Sequence, residues 1–298
     1  MTGLARGLAG LALALVHAVA VGHDASRCAV DDRGQEVCLE RPAQRIAALS
    51  PGATELIYAA GAGDAVVAVV AWSDYPPAAT EVESVGSHTR IDLERLLALQ
   101  PDLVIGWISG NPSEQIEAIE GLGLTLFSIE PRRIEAVANT IERLALLAGT
   151  ETVGAAEAER FRDGMAALAA RHADAETVSV FYQVWDQPLM TINDAHLIGQ
   201  IVQICGGVNV FGELSRLVPR LGVEAVLGAD PEAIIAGGMG EENRDWLDQW
   251  LAYPGMAAVR SENLFLVPPS LVQRPTPRLL EGAEILCRKL EVARDRRR

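Results

Sequence analysis

The chain has 298 residues, 49% of them apolar, with four Cys, and its 40 Asp plus Glu outweigh 25 Lys plus Arg to leave a formal net charge of −15. That length supports two core-bearing lobes of about 100–150 residues each, a charged content of 22% argues against disorder, and no apolar run after residue 30 approaches the roughly 20 residues of a membrane span, so the mature protein is expected to be soluble. The negative balance repels phosphate backbones, and the one basic cluster, Arg294 with Arg296, Arg297 and Arg298, sits on a terminal tail, which argues against nucleic acid as a partner.

Met1 to Ala20 has the layout of a secretory signal peptide: Arg6 supplies the positive start, Gly7 to Val16 the apolar stretch, and Ala18-Val19-Ala20 a small-x-small cleavage site. A membrane anchor competes, but His17 and the polar residues from Gly22 onward leave the apolar stretch too short to span. No Cys follows the cleavage site immediately, so lipid anchoring has no sequence support. An extension over 21–42 then holds Cys28 and Cys38. In the oxidising compartment reached by export, four Cys suggest two disulfides, the alternative being free buried thiols, and their spacing does not resemble a zinc site. Cys28 and Cys38 are close enough to staple a short hairpin, which leaves Cys205 and Cys287 to bridge two helices far apart in sequence.

The N-terminal lobe, 43–149, carries apolar runs expected to be strands at Arg45 to Leu49, Val66 to Trp72, Leu103 to Trp107 and Thr125 to Ile129, with helices between them. Thr150 to Ala173 is Ala- and Glu-rich, lacks Pro, and predicts a single helix of about 35 Å linking two lobes. Such a linker is stiff and disfavours large hinge closure. The C-terminal lobe, 174–292, repeats the pattern with strands expected at Val178 to Val184, Ala233 to Ala236 and Leu264 to Val267, before the basic tail at 293–298. Leu93 to Gly106 lines up with Val223 to Ala236 at a constant offset of 130 residues: each is a short helix with an early Glu, a Pro-acidic turn and an apolar strand. The fold class is therefore α/β, two similar Rossmann-like lobes joined by one long rigid helix with a cleft between them.

Enzyme signatures are missing: there is no Gly-Lys-Ser/Thr phosphate loop, no Gly-x-Ser-x-Gly turn and no His-Glu-x-x-His helix. Only His88, His172 and His196 fall within the lobes, too few for a multi-His metal site. The scarce indoles are more informative. Trp72, Trp107 and Trp185 each close an expected strand and precede a polar loop, where open α/β sheets bind ligands. They are either strand-end core residues or the apolar walls of a site for a large planar molecule. Trp246 and Trp250, four apart on a helix, suit core packing or a lobe edge. His88, in Gly86-Ser87-His88-Thr89-Arg90, is either a solvated loop residue or a neutral imidazole able to ligate a metal macrocycle. Glu94 and Glu224 occupy equivalent positions, one per lobe, either favouring their helix N-termini or offering one carboxylate each on the cleft rim.

Arg45-Ile46-Ala47-Ala48-Leu49-Ser50-Pro51 followed by Thr54-Glu55-Leu56, then Trp72-Ser73-Asp74-Tyr75-Pro76-Pro77, Pro101-Asp102-Leu103-Val104-Ile105 and Cys205-Gly206-Gly207, resemble the periplasmic cobalamin-binding proteins. These belong to a helical-backbone class of substrate-binding proteins that also holds haem and siderophore binders. The resemblance covers about residues 43–292. It implies a corrinoid, held as transported ligand with no enzymatic cofactor, in the cleft between lobes, and delivery to an ABC importer permease in the inner membrane. Carried over by position, it places Trp72, His88, Trp107 and Trp185 at the cleft, a disulfide at Cys205 and Cys287, and permease docking at Glu94 and Glu224. The best-known members carry Trp where this chain has His88, and Arg220 stands near another family Trp. Arg90, Arg220 and Arg274 are the cations available to the cleft, fewer than an anionic iron chelate usually needs. The function expected is that of an exported, periplasmic, monomeric corrinoid-binding protein without catalysis, with Arg220 and Arg274 added to the cleft and His88 as an axial ligand to cobalt or iron. The alternatives are a haem or iron-siderophore binder and, more remotely, an exported enzyme on the same fold.

Overall fold

The computed structural model describes Thr2 and residues 26–297, so the signal-peptide interpretation of Met1 to Ala20 falls, apart from Thr2, outside the described residues. The chain opens with an antiparallel hairpin, β1 (Arg27–Val30) and β2 (Glu36–Leu39), in which Cys28 and Cys38 stand directly opposite and are disulfide-bonded.

The first lobe runs β3 (Ile46–Ala48), α1 (Pro51–Ala59), β4 (Val66–Ala68), the two-residue strands β5 (Gly86–Ser87) and β6 (Arg90–Ile91), α2 (Leu93–Ala98), β7 (Leu103–Trp107), α3 (Ser113–Gly121), β8 (Leu126–Ile129) and α4 (Ile134–Ala148). Its sheet is parallel in the order β4-β3-β7-β8. Because strand side chains alternate, the apolar runs sort onto two faces. Ile46, Ala48, Leu103, Ile105 and Phe127 pack on the side of Leu56 in α1 and Ile141 in α4. Ala47, Val104 and Leu126 pack on the side of Leu96 in α2 and Ile119 in α3.

The second lobe repeats the plan with β9 (Val178–Gln183), α6 (Leu197–Ile204), β10 (Gly207–Asn209), α7 (Val223–Ala229), β11 (Ala233–Ala236), α8 (Asp245–Asp248), α9 (Ala257–Arg260), β12 (Leu264–Leu266), α10 (Pro269–Val272) and α11 (Leu279–Asp295). Its parallel order, β10-β9-β11-β12, matches the first sheet strand for strand. Trp246 and Trp250 are buried against Phe181, Ile234 and Val226, which makes them core. Cys205, at the end of α6, is bonded to Cys287 of α11.

Between the lobes, α5 (Glu151–His172) is one uninterrupted helix of 22 residues, close to 33 Å at the usual rise. Arg162 ties it to α4 through Glu135, Asn139 and Glu142 at 2.7 Å. Two residues on, a Cβ at Gly164 would lie 2.3 Å from a methyl of Leu280, so this glycine lets α11 pack close without moving that side chain. Ala158, Phe161, Met165 and Leu168 join an apolar cluster continuous from β3 to α11. The lobes thus share core through the linker, which opposes hinge motion.

Three expectations are corrected. The strand drawn from Val66 to Trp72 ends at Ala68, and Val69 makes only an isolated bridge to Ser84. A fourth strand, β10, completes the second sheet; three residues long, Gly-led and with Val208 exposed, it lacks an apolar run to announce it. The basic tail set apart at 293–298 begins inside α11, and its described residues, to 297, are held against the second lobe. Arg294 is 5% exposed, donating to the Cys205 and Glu176 carbonyls at 2.6 Å each, and Arg297 donates to Glu232 at 2.6 Å.

Candidate ligand cleft

Ligands of open α/β sheets bind beyond the carboxyl ends of the strands, so the loops that follow the strands of each lobe are the candidate walls of a site. On the first lobe the wall is built around Trp107, the last residue of β7. Its N–H donates to Asn111 Oδ1 at 2.6 Å, closing the loop, and its ring lies over Gly110, where a Cβ would meet the indole at 1.9 Å. Any side chain at that position would lift the ring. Asn111 is buried, and its amide donates to the Leu49 and His88 carbonyls at 2.9 Å each. His88 occupies the turn between β5 and β6, with its ring 5.7 Å from that of Trp107 at a 45° tilt. One buried amide therefore holds the two rings side by side.

Trp72 stands on the neighbouring loop with φ 69° and 76% exposure. A left-handed tryptophan costs on the order of 1–3 kcal/mol, and such residues cluster at binding sites. Its backbone is held there: the Trp72 carbonyl accepts from Arg274 Nη2 at 3.2 Å, and the next side chain, Ser73, accepts from Thr54 Oγ1 at 3.0 Å.

On the second lobe Trp185 is 43% exposed, donates Nε1–H to the Gln187 carbonyl at 3.1 Å and sits edge-on to Trp246 at 5.7 Å. Antiparallel bridges join Trp185 to Met190 and Met190 to Arg220, so Trp185 and Arg220 share a wall. Arg220 is exposed, with no ion-pair partner among the described residues. Beside this wall a cavity of about 480 Å³ is lined by Gln183, Asp186, Pro188, Trp250 and Tyr253.

Arg274 does not line the cleft as a free cation. It spans the lobes, donating to Glu55 Oε1 of α1 at 2.9 Å and to Asp74 at 2.7 Å. Glu55 is 3% exposed and also accepts from Thr276 Oγ1 at 2.8 Å, while the Arg278 guanidinium stacks over Tyr75 at 4.2 Å. Glu55, Thr276, Arg278 and Asn111 were not foreseen as functional; Glu55 stands inside the motif Thr54-Glu55-Leu56, but its partners lie more than 200 residues away. A separate groove of about 1040 Å³ runs along α5 between Tyr58, Tyr75, Arg160 and Leu280, and Trp72, His88 and Trp107 do not line it.

Glu94 and Glu224 are the second residues of α2 and α7, both exposed. The cap of α2 is Asp92, accepting from Arg95 N at 3.0 Å, and Gly222 precedes α7, so neither glutamate is used as a side-chain cap.

A family model described as "Periplasmic binding protein" matches residues 46–271. The vitamin B12-binding protein of Vibrio cholerae serotype O1 is 34% identical over 252 residues, 85% of this chain and 91% of that protein. The crystal structure of the periplasmic vitamin B12 binding protein BtuF of Vibrio cholerae superposes with a TM-score of 0.76 at 34% identity, covering 85% of this chain and 98% of that one. The periplasmic heme-binding protein RhuT from Roseiflexus, at 24% identity and a TM-score of 0.73 over 84% of this chain and 99% of its own, shares the fold. A match over three quarters of the sequence, the paired parallel sheets and the single connecting helix agree: the chain belongs to the periplasmic binding protein family.

Proposed function

We propose that this chain is an exported substrate-binding protein that captures cobalamin or a related corrinoid between its lobes and delivers it to an ABC importer. The observation that carries the proposal is the indoles beyond the strand ends of both lobes: exposed Trp72 and half-buried Trp107 on one and exposed Trp185 on the other, none of them in the buried core. Three such rings offer apolar surface to a broad planar ligand, and the curated relatives at 34% identity are named for vitamin B12 binding. The corrinoid is cargo, and the function is binding, not catalysis.

Within that proposal His88 faces the ligand beside Trp107, as an axial ligand to cobalt or a hydrogen-bond donor to the periphery. Arg220 reaches an amide or phosphate of the ligand from the opposite wall. Arg274 serves the lobe junction. Glu94 and Glu224 dock one to each half of a two-fold permease, and the mature chain, cut near Ala20, works in the periplasm as a monomer. Haem is the second candidate, favoured by an imidazole at the cleft.

Absorbance titration of the purified protein with cyanocobalamin and, separately, with hemin tests the assignment. Saturable, stoichiometric cyanocobalamin binding is expected; a shifted Soret band with hemin and no cyanocobalamin binding overturns it in favour of haem. His88→Ala should weaken the complex and alter the bound chromophore's spectrum. No change in either would return His88 to the role of a solvated loop residue.

A further inference from the structure

We propose that the disulfide-closed hairpin β1–β2 is a positioning element for the cleft, acting through Asp32 and Glu130 on the loop that carries Trp107. The inference rests on the cleft assignment above, but it concerns a part of the chain that precedes the family match at residue 46.

A two-stranded hairpin is marginal by itself, yet this one is closed and seated at many points. Cys28–Cys38 links its strands. Arg27 binds the Leu146 carbonyl at 3.1 Å and Glu151, and Arg143 of α4 binds the Val30 carbonyl and Asp32, both at 2.8 Å. In the turn, the buried Asp31 carboxylate accepts from Arg33 N and Gln35 N at 2.9 Å and from Ser128 N at 3.2 Å. Burial works against its charge, but the hydrogen bonds from Gln35, Arg33 and Ser128 outweigh it and hold the carboxyl below its usual range.

This turn lies on β8, the edge of the first sheet, with Asp32 N–H donating to the Ser128 carbonyl at 2.9 Å. Shielding an edge strand requires no more than that. The contacts continue, however, toward the cleft. Asp32 Oδ2 accepts from Glu130 N at 2.6 Å, just past the end of β8. The Glu130 carboxylate in turn accepts from Ser109 N at 2.9 Å and Ser109 Oγ at 3.0 Å. Ser109 is two residues beyond Trp107 and adjoins Gly110, the seat of the indole. Glu130 is therefore gripped by the hairpin at its backbone and grips the Trp107 loop with its side chain. Among the described residues the corresponding edge of the second sheet, β12, pairs with β11 alone.

The test compares Asp32→Ala with Asp32→Asn in the full mature chain. Both lose the ion pair to Arg143, so both thermal midpoints should fall. Only Asp32→Asn keeps an oxygen for the Glu130 N–H. Asp32→Ala should weaken cyanocobalamin binding about fivefold, as expected for one lost positioning hydrogen bond, and Asp32→Asn should stay within twofold. Independently of ligand, Trp107 emission, taken as the difference between each protein and its Trp107→Phe derivative, should become more readily quenched by acrylamide in Asp32→Ala only. Equal losses in the two variants, or unaltered Trp107 quenching in Asp32→Ala, overturn the proposal. If Asp32→Ala does not fold, Glu130→Ala cuts the same path on the cleft side and must give the same quenching change. A wild-type protein that binds no cyanocobalamin refutes the corrinoid assignment instead, and the quenching comparison still decides the hairpin's role.

Discussion

Glu55→Ala should be the costliest single change at the lobe junction. The carboxylate is 3% exposed and meets two guanidinium groups and a hydroxyl: Arg274 at 2.9 Å, Arg278 at 3.5 Å and Thr276 Oγ1 at 2.8 Å. At an effective dielectric constant near 20, each ion pair at about 3 Å is worth ~5 kcal/mol before desolvation. Most of that is offset by the burial of the charges, but removing one partner leaves the other uncompensated, which typically costs about 3–5 kcal/mol. Arg274 would keep Asp74 at 2.7 Å and the Trp72 carbonyl at 3.2 Å, so the lower end, about 3 kcal/mol, is the expected loss. Urea denaturation followed by circular dichroism measures it, provided the m-value matches wild type so that the midpoint reports stability alone. Arg274→Met in the same background should cost much less than it does alone, giving a coupling of at least about 1 kcal/mol. A Glu55→Ala loss under about 1 kcal/mol, or strict additivity with Arg274→Met, refutes the junction as a buried charge clamp.

Trp107→Ala, and likewise Trp72→Ala or Trp185→Ala, should cost about 2 kcal/mol of cyanocobalamin binding, roughly thirtyfold in Kd; folded variants that titrate within twofold of wild type would remove that residue from the cleft wall. Burial depresses His196 to a pKa of about 4, and its Nδ1 caps α6 by accepting from Ile198 N at 3.1 Å. The unfolded chain takes up a proton near pH 6.5 that the folded chain refuses until about 4, so stability is intact above 6.5 and falls by up to ~3 kcal/mol as pH drops to 4; His196→Asn, which keeps a capping oxygen, should lose part of that slope in urea midpoints at pH 7 and pH 5, and an unaltered slope contradicts the assignment. Glu94→Arg with Glu224→Arg should leave corrinoid affinity nearly intact while abolishing uptake by cells or vesicles carrying the cognate importer; normal uptake, or lost binding by the isolated protein, excludes these residues as the docking pair.

The framework was legible because it is written in local pattern. Leu103–Trp107 and Ala233–Ala236 are largely apolar segments after Pro-acidic turns, and both strands span the residues expected of them. The linker could be located from composition, since 22 residues without Pro and rich in Ala and Glu have no better conformation than a helix. What stayed hidden depends on partners remote in sequence. Arg274 looks like a free cleft cation until the fold brings Glu55, 219 positions away, within 2.9 Å. Arg294 and Arg297 look like a solvated tail until the last helix is laid against the second lobe, where the carbonyls of Cys205, Glu176 and Thr177 accept hydrogen bonds from their guanidinium groups. Trp72 was assigned to a strand because its apolar run continues to it. Its left-handed backbone is imposed from outside, by Arg274 and the Ser73–Thr54 contact.

The repeat that produced two matching sheets did not produce two matching walls. Trp107 ends β7, whereas the residue at the same offset after β11 is Gly237, so the second lobe has no indole at that point. Its indole comes instead from Trp185, after β9, together with Arg220 on bridged segments that β3 and its following loop do not reproduce. One side of the cleft therefore offers an imidazole and an indole locked together by Asn111, and the other an indole and a cation without an ion-pair partner among the described residues. A flat molecule with identical faces would gain nothing from that difference. A macrocycle whose two faces differ, one presenting a metal to a donor and the other a chain bearing amides and a phosphate, can be held in one orientation by it, because inverting the ligand would set His88 against the chain and Arg220 against the metal. On the proposed corrinoid reading, the shared strand order of the two sheets sets the two walls, and the departures from symmetry in their loops are what would select one orientation of the ligand.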